Sequence, residues 1–87
     1  MRVEFSGRHI EITEPIRKFA QDCLDRMQTL DEAIEIHFIL TAAEPQRHIA
    51  KVNLKTRTGV QNFIEESADM YTSIASVLHR MEKECVK

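Results

Sequence analysis

Apolar residues along this chain repeat with two different periods, and the order in which the periods follow one another predicts the order of its secondary structure. Four stretches alternate apolar and polar side chains in the manner of half-buried strands: residues 2–6, 33–42, 47–57 and 60–67. In the third of these, Ala50, Val52 and Leu54 are predicted to face the core. Residues 44–46 and 58–59 contain the proline and glycine typical of turns, so the last three strands should form two consecutive hairpins.

The stretch between the first two predicted strands follows the i, i+3, i+4 spacing of an amphipathic helix. Thr13 is a candidate N-cap, and Glu14 is a second candidate because Pro15 would then stand at the first helical position. The helix should run to about Gln28. Its apolar stripe contains Ile16, Phe19, Ala20, Cys23, Leu24 and Met27.

A second amphipathic helix is predicted after the last strand. It should start near residues 68–69, with Ser67 or Asp69 as its N-cap. Its apolar stripe contains Met70, Tyr71, Ile74, Val77, Leu78, Met81 and Cys85. The complete order is then βαβββα, which predicts an α+β two-layer sandwich with both helices on one face of a four-stranded sheet. The other face of the sheet is left to water or to a partner.

Length and composition are those of one small domain in the ordinary soluble range, with 87 residues, 43% hydrophobic and 30% charged. No apolar run approaches the ~18 residues that a membrane span needs, and the N-terminus lacks the apolar stretch of a signal peptide. We therefore expect a cytoplasmic protein with no membrane contact. Cys23 and Cys85 are far apart and the four histidines are scattered, which argues against a disulfide framework or a metal site.

The sequence contains no recognisable catalytic motif. With two glycines in total, the chain cannot build a glycine-rich loop that cradles phosphate, and it has no GxSxG nucleophile elbow. Carboxylates are present, but a sequence alone does not reveal a pair with perturbed pKa values. We therefore expect a binding protein with no catalytic residues, no metal and no cofactor.

The formal net charge of −2 argues weakly against a nucleic-acid partner, but the distribution of charge changes this interpretation. Residues 47–57 contain no carboxylate and four cations: Arg47, Lys51, Lys55 and Arg57. The two-residue period puts these cations on the outward face of the third strand, where they could neutralise phosphates and release counterions. A solvated face is the alternative, because charged residues also protect strands from edge pairing.

Cations also mark the two predicted helices. In the last helix, steps of three and four residues define a stripe of Ser73, Ser76, Arg80, Lys83 and Lys87. These cations could contact phosphate, or they could interact only with the helix macrodipole, which is worth about 0.3–1 kcal/mol. The first helix carries Arg17, Lys18 and Arg26. Asp22 and Asp25 are close enough to pair with them, which is typical of a solvated helix face.

Several segments, in this order and at this spacing, resemble a known family. Residues 7–13 (Gly-Arg-His-Ile-Glu-Ile-Thr) are similar to its opening signature, and residues 47–54 (Arg-His-Ile-Ala-Lys-Val-Asn-Leu) to its third strand. Residues 69–71, followed by Ile74, match the start of its last helix. The basic–apolar–basic ending of that helix is matched by Arg80, Met81 and Lys83. The family is that of ribosome hibernation promoting factors, also called ribosome-associated translation inhibitors or sigma-54 modulation proteins, and the chain resembles its short form.

The resemblance implies a fold similar to double-stranded-RNA-binding domains, with the first two strands parallel. Residues 1–87 would form a single domain that binds the small ribosomal subunit and its 16S rRNA. There the protein would occupy the channel of messenger RNA and transfer RNA, and so silence idle ribosomes under stress. The RNA contacts carried over by position are Arg17, Lys18, Arg26, Arg80, Lys83 and Lys87, with Arg8, Lys51, Lys55 and Arg57 as second-tier candidates.

Two further expectations concern partners. The sequence ends at the last predicted helix, so pairing of ribosomes would require a second hibernation factor. The alternative function is a divergent protein-interaction or homodimerising regulatory module that does not bind RNA. That module would use the sheet face bearing Ile39 and Ile49 in a weak homodimer or with a regulatory protein. The salt dependence of RNA binding separates the two hypotheses.

Overall fold

The computed structural model describes residues 1–27 and 32–85, and the predicted order of elements is confirmed there. The elements are β1 (Arg2–Arg8), α1 (Glu14–Asp25), β2 (Ala33–Ala43), β3 (Arg47–Thr56), β4 (Gly59–Ser67) and α2 (Met70–Cys85). The βαβββα order and the α+β class are therefore as predicted. The largest differences in bounds are at β1, which is two residues longer than predicted, and at α1, which ends at Asp25. Gln28, the predicted end of α1, lies outside the described residues.

The four strands form one mixed sheet in the order β1-β2-β3-β4. Strand β1 is parallel to β2, as the family resemblance implies, and the other two pairs are antiparallel. A tight hairpin cannot join two parallel neighbours, so the chain crosses from β1 to β2 through α1. Strands β1 and β4 are consequently the two edges of the sheet.

Every second residue of the central strands points into one apolar core. Phe38 of β2 is fully buried, and the ring of Phe5 stacks on it with centroids 4.9 Å apart and an angle of 9° between the planes. The other buried strand residues are Ile36, Leu40, Ala50, Val52, Leu54 and Phe63. Both helices contribute to the same core through Ile16, Ala20, Leu24, Met70, Ile74, Val77, Leu78 and Met81. The predicted core faces of β3 and of the two helices are thus confirmed for these residues.

The helix ends show how local sequence sets the bounds of each helix. Thr13 is the N-cap of α1, although its side chain makes no capping hydrogen bond. At the other end, the backbone N–H groups of Arg26 and Met27 bond to carbonyls three residues earlier, which tightens the final turn and closes the helix. Asp69 caps α2, because its carboxylate accepts a hydrogen bond from the Thr72 N–H at 3.0 Å.

Close packing in the connection from β1 to α1 explains the glycine in the segment that opens the family signature. A Cβ atom at Gly7 would collide with the carbonyl oxygen of Ile10 and would lie 3.1 Å from a methyl carbon of Ile12. His9, two residues later, has a φ of 60°, a left-handed conformation that a non-glycine residue seldom adopts. The chain can therefore fold back towards α1 only if residue 7 lacks a side chain.

Candidate functional site

No element of the described chain covers the face of the sheet opposite the helices. We call it the open face. By strand register and alternation, its residues are Arg2, Glu4, Ser6, Arg8, Glu35, His37, Ile39, Thr41, Ala43, Arg47, Ile49, Lys51, Asn53, Lys55, Val60, Asn62, Ile64 and Glu66. Five of these residues are Lys or Arg and three are Glu. The open face is therefore net positive in a protein whose formal net charge is −2.

Lys51 lies at the centre of the open face and is surrounded by isoleucines. Ile39 of β2 and Ile64 of β4 are its direct cross-strand neighbours, and Ile49 precedes it by two residues on the same face of β3. Ile64 is 53% exposed. The arrangement is an apolar floor with an ammonium group in its middle, since a lysine stem packs along apolar surface while its head stays in water. We call Ile39, Ile49, Ile64 and Lys51 the isoleucine patch.

A second cation and a second exposed apolar residue extend this arrangement along the sheet. Lys55 lies four residues beyond Lys51 on β3, at a distance of about 13 Å for a strand. Its neighbour on β4 is Val60, which is 61% exposed. Strand β3 thus carries cations where β4 carries apolar side chains. The two-residue period of β4 was the signal in the sequence that could have identified Val60 and Ile64 as outward residues.

The cations predicted to bind RNA differ in whether a carboxylate already offsets their charge. Seven of them make no ion pair within 4.0 Å among residues 1–27 and 32–85: Arg8, Arg17, Arg26, Lys51, Lys55, Arg57 and Lys83. Arg57 lies in the turn between β3 and β4. Four of these cations, Arg8, Lys51, Lys55 and Arg57, belong to the open face or to the turn at its end. These four are the second-tier candidates predicted from the sequence.

Arg47 also lies on the open face, but its charge is offset. Its guanidinium donates two hydrogen bonds to the Glu66 carboxylate, at 2.7 and 2.9 Å. These hydrogen bonds lower the pKa of Glu66 and raise the pKa of Arg47. A phosphate would have to displace Glu66 to bind here, so Arg47 contributes less to anion binding than its exposure alone indicates.

Arg80 of α2 is held even more firmly by neighbouring groups. Its guanidinium donates hydrogen bonds to Glu84 at 2.8 Å and to Glu65 at 3.1 Å, and the first of these is the main reason for its raised pKa. It also donates to the backbone carbonyl of Ile64 at 3.3 Å. This carbonyl belongs to an edge strand, so Arg80 ties α2 to the sheet and covers part of the β4 edge.

The cations of α1 have partners of other kinds. Lys18 pairs with Asp22 at 3.7 Å, at the helical spacing expected from the sequence. The Nε of Arg26 donates to the backbone carbonyl of Asp22 at 3.2 Å. The guanidinium carbon of Arg17 lies 5.3 Å above the centre of the Phe5 ring, within the range of a cation–π contact. The structure leaves all three exposed, so their contact with RNA stays a prediction.

The predicted polar stripe on α2 is wrong at Ser73. Its side chain is fully buried and donates to the carbonyl oxygen of His48 at 2.6 Å. It also shares a hydrogen bond with the hydroxyl of Ser67 at 2.7 Å. A serine can be buried where hydrogen bonds satisfy its hydroxyl. Helical spacing alone does not reveal such hydrogen bonds, so the sequence placed Ser73 on the exposed stripe. Lys87, at the end of the stripe, lies outside the described residues.

The groove between the helices offers little chemistry by comparison. It has a volume of about 400 Å³ and is lined by Phe19, Cys23, Arg26, Met27, Ala75, Leu78, His79 and Glu82. Burial raises the pKa of the Cys23 thiol, which makes it a weaker nucleophile at neutral pH. In the described ranges no three His, Cys, Asp or Glu residues are grouped so as to hold a metal ion. No helix within those ranges is long and apolar enough to span a membrane.

Comparison with known families and proteins agrees with the fold and with the predicted resemblance. A family model described as Sigma 54 modulation protein / S30EA ribosomal protein matches residues 3–87. A Ribosome hibernation promotion factor from Deinococcus radiodurans is 28% identical over 89 residues, covering 97% of this chain and 47% of that protein. The chain thus spans about half the length of this relative.

Two further similarities extend over nearly the whole of both proteins. A Ribosome hibernation promoting factor from Salmonella typhimurium is 23% identical over 87 residues, which cover 100% of this chain and 92% of that protein. A solved structure described as a ribosomal subunit interface protein from Coxiella burnetii superimposes with a TM-score of 0.91 and 27% identity. The superposition covers 98% of this chain and 93% of that one.

Proposed function

This chain belongs to the Sigma 54 modulation protein / S30EA ribosomal protein family, and from that premise we propose that it is a ribosome-associated hibernation factor. Its target would be the small ribosomal subunit, bound through 16S rRNA. By occupying the channel of messenger RNA and transfer RNA, the protein would exclude both ligands by steric means alone. Such a role is carried out in the cytoplasm and needs neither catalysis nor a cofactor.

The observation that carries the RNA part of this proposal is the row of unpaired cations on the open face. Lys51 and Lys55 point away from the core on the same side of β3, and Arg57 follows in the adjoining turn. A cation with no carboxylate partner can neutralise a phosphate without first giving up an ion pair. Three such contacts to single-stranded RNA would give a slope of about −2 in log K against log salt concentration.

Co-sedimentation with isolated small subunits, at low and at moderate salt, tests the proposal. We expect the protein to travel with the subunits at low salt and to be released as the salt concentration rises. The double variant Lys51→Gln, Lys55→Gln should bind more weakly. Lys18→Gln, Lys83→Gln removes two charges from the helices instead, and a larger loss of binding in this variant would move the proposed phosphate contacts from the open face to the helices. A protein that stays at the top of the gradient at both salt concentrations would contradict the proposed function.

A protein-interaction module is the second candidate function, and the exposure of Val60 and Ile64 favours it. Together with Ile39 and Ile49, these side chains give the open face the apolar area that a protein partner would bury. Binding to a protein through this area would depend little on salt. Binding to small subunits that is insensitive to salt and unchanged in Lys51→Gln, Lys55→Gln would therefore support this candidate.

A further inference from the structure

The isoleucine patch has a composition that binding to phosphate alone does not require. Its centre is an unpaired lysine, and apolar side chains border that lysine on both neighbouring strands. The surface therefore combines a cation and an apolar floor within one short length of strand.

The two forms of RNA would use such a surface differently. A duplex presents phosphates and 2′-hydroxyls to a protein that approaches from outside, while its bases are stacked and paired inside. The isoleucines would therefore find no apolar surface to pack against on the outside of a duplex. Unpaired nucleotides expose the faces of their bases, which lose water when they pack on a protein.

The charge of the open face argues against a second copy of this chain as the occupant. The face carries five basic and three acidic residues, so two copies packed face to face would bring like charges together. Lys51 of one copy would approach Lys51 of the other across a two-fold axis near the patch. A negatively charged partner would be attracted by this net positive face, whereas a second copy of the chain would be repelled by it.

We propose that the open face binds an unpaired segment of RNA, with bases packed on the isoleucine patch and phosphates held by Lys51 and Lys55. This inference rests on the proposed function and narrows it, because it names the form of RNA that the site accepts. It also separates this surface from the duplex recognition that the resemblance to double-stranded-RNA-binding domains suggests.

Fluorescence anisotropy with one labelled 12-nucleotide RNA, used single-stranded and then annealed to its complement, tests the inference on the full chain. We expect tighter binding to the single strand. Ile64→Ser should weaken binding to the single strand roughly tenfold, since the loss of one base contact costs about 1–3 kcal/mol, and should leave binding to the duplex unchanged. Lys51→Gln should weaken binding to both.

Ile34→Ser is the matched control, because Ile34 is 46% exposed but lies at a register shift outside the open face. It should leave both affinities within about twofold of the unmodified protein. Circular dichroism would verify that each variant is folded, and both substitutions are at exposed positions. Equal affinity for the two RNA forms, or an Ile64→Ser variant with unchanged affinity for the single strand, would overturn the inference.

Co-sedimentation of the same variants with small subunits distinguishes failure of the inference from failure of the proposed function. If the protein binds subunits but Ile64→Ser has no effect on either assay, the open face does not hold unpaired bases and the proposed function stands. If the unmodified protein binds neither RNA nor subunits, both are wrong. If Ile64→Ser abolishes a salt-insensitive association with subunits, the patch binds a protein, and the RNA inference is overturned.

Discussion

The open face and the helix layer both display cations to solvent, yet they differ in what surrounds those cations. On the helices, Lys18 and Arg80 each have a carboxylate four residues later, and both form the corresponding ion pair. On the open face, the neighbours of Lys51 are isoleucines. The number of exposed cations therefore does not measure the capacity to bind phosphate, because a charge already paired must lose its partner first.

The geometry of the two elements explains this difference. In a helix, residues four apart lie about one turn from each other, so opposite charges at that spacing pair readily. In a strand, the lateral neighbours of a residue belong to other strands, and the register decides which residues these are. Ion pairs also form on the open face where the register allows them. Arg47 of β3 lies close to Glu66 of β4 and donates two hydrogen bonds to it.

The largest expected effect is a difference in stability loss between substitutions on the core side of the sheet and on its open face. Phe38→Ala should lower the free energy of unfolding by about 3–5 kcal/mol, because it removes a fully buried ring and leaves a cavity. Ile39→Ala, one residue further on the open face, should cost about 1 kcal/mol. Chemical denaturation followed by circular dichroism measures both. Similar losses for the two variants would mean that the open face is packed as tightly as the core.

The next effect concerns the salt dependence of RNA binding. Lys55→Gln should reduce the magnitude of the slope of log K against log salt concentration by about 0.7, as expected for the loss of one phosphate contact to single-stranded RNA. Arg80→Gln should leave the slope unchanged, because Arg80 already forms ion pairs with Glu65 and Glu84. Titrations at four or more salt concentrations provide the slopes. A reduction for Arg80→Gln alone would assign RNA binding to the helix layer.

A smaller effect is expected on stability when Arg80 is replaced. Arg80→Gln removes two ion pairs and the hydrogen bond to the Ile64 carbonyl, and the melting temperature should fall by a small fraction of the fall seen with Phe38→Ala. The freed β4 edge should also make the variant more prone to self-association, which sedimentation velocity would detect. Lys83→Gln, on the same helix but without an ion pair in the described residues, is the control.

The smallest effect is a pH dependence from the pair of Arg47 and Glu66. The pKa of Glu66 is lowered in the folded protein, so the pair stabilises the fold above the ordinary carboxyl pKa, and this contribution is lost as the pH falls through the lowered pKa. Arg47→Gln should therefore reduce stability slightly at neutral pH and not at all at strongly acidic pH. Thermal melts of both proteins across that range, at low salt, would measure the difference, and a constant difference would contradict it.

The order of elements, the core faces and the helix caps were predictable because each depends on residues close together in the chain. The alternation around Val52 and the spacing of Ile74, Val77 and Leu78 are sufficient to define buried faces. The ion pair between Arg80 and Glu84 was also within reach of the sequence, since the two residues stand four apart. Its second carboxylate, Glu65, lies fifteen residues away in the chain and becomes a neighbour only when α2 packs beside β4.

The sequence by itself determined the βαβββα fold and the outward direction of the cations on β3, since the periods of strand and helix act over a few residues. Only the tertiary structure decided which cations are free and which are offset. It also placed Ile39 and Ile64 on either side of Lys51 and put Ser73 in the core. These outcomes depend on strand register and on contacts between distant segments, where a shift of one residue would exchange the two faces of a strand.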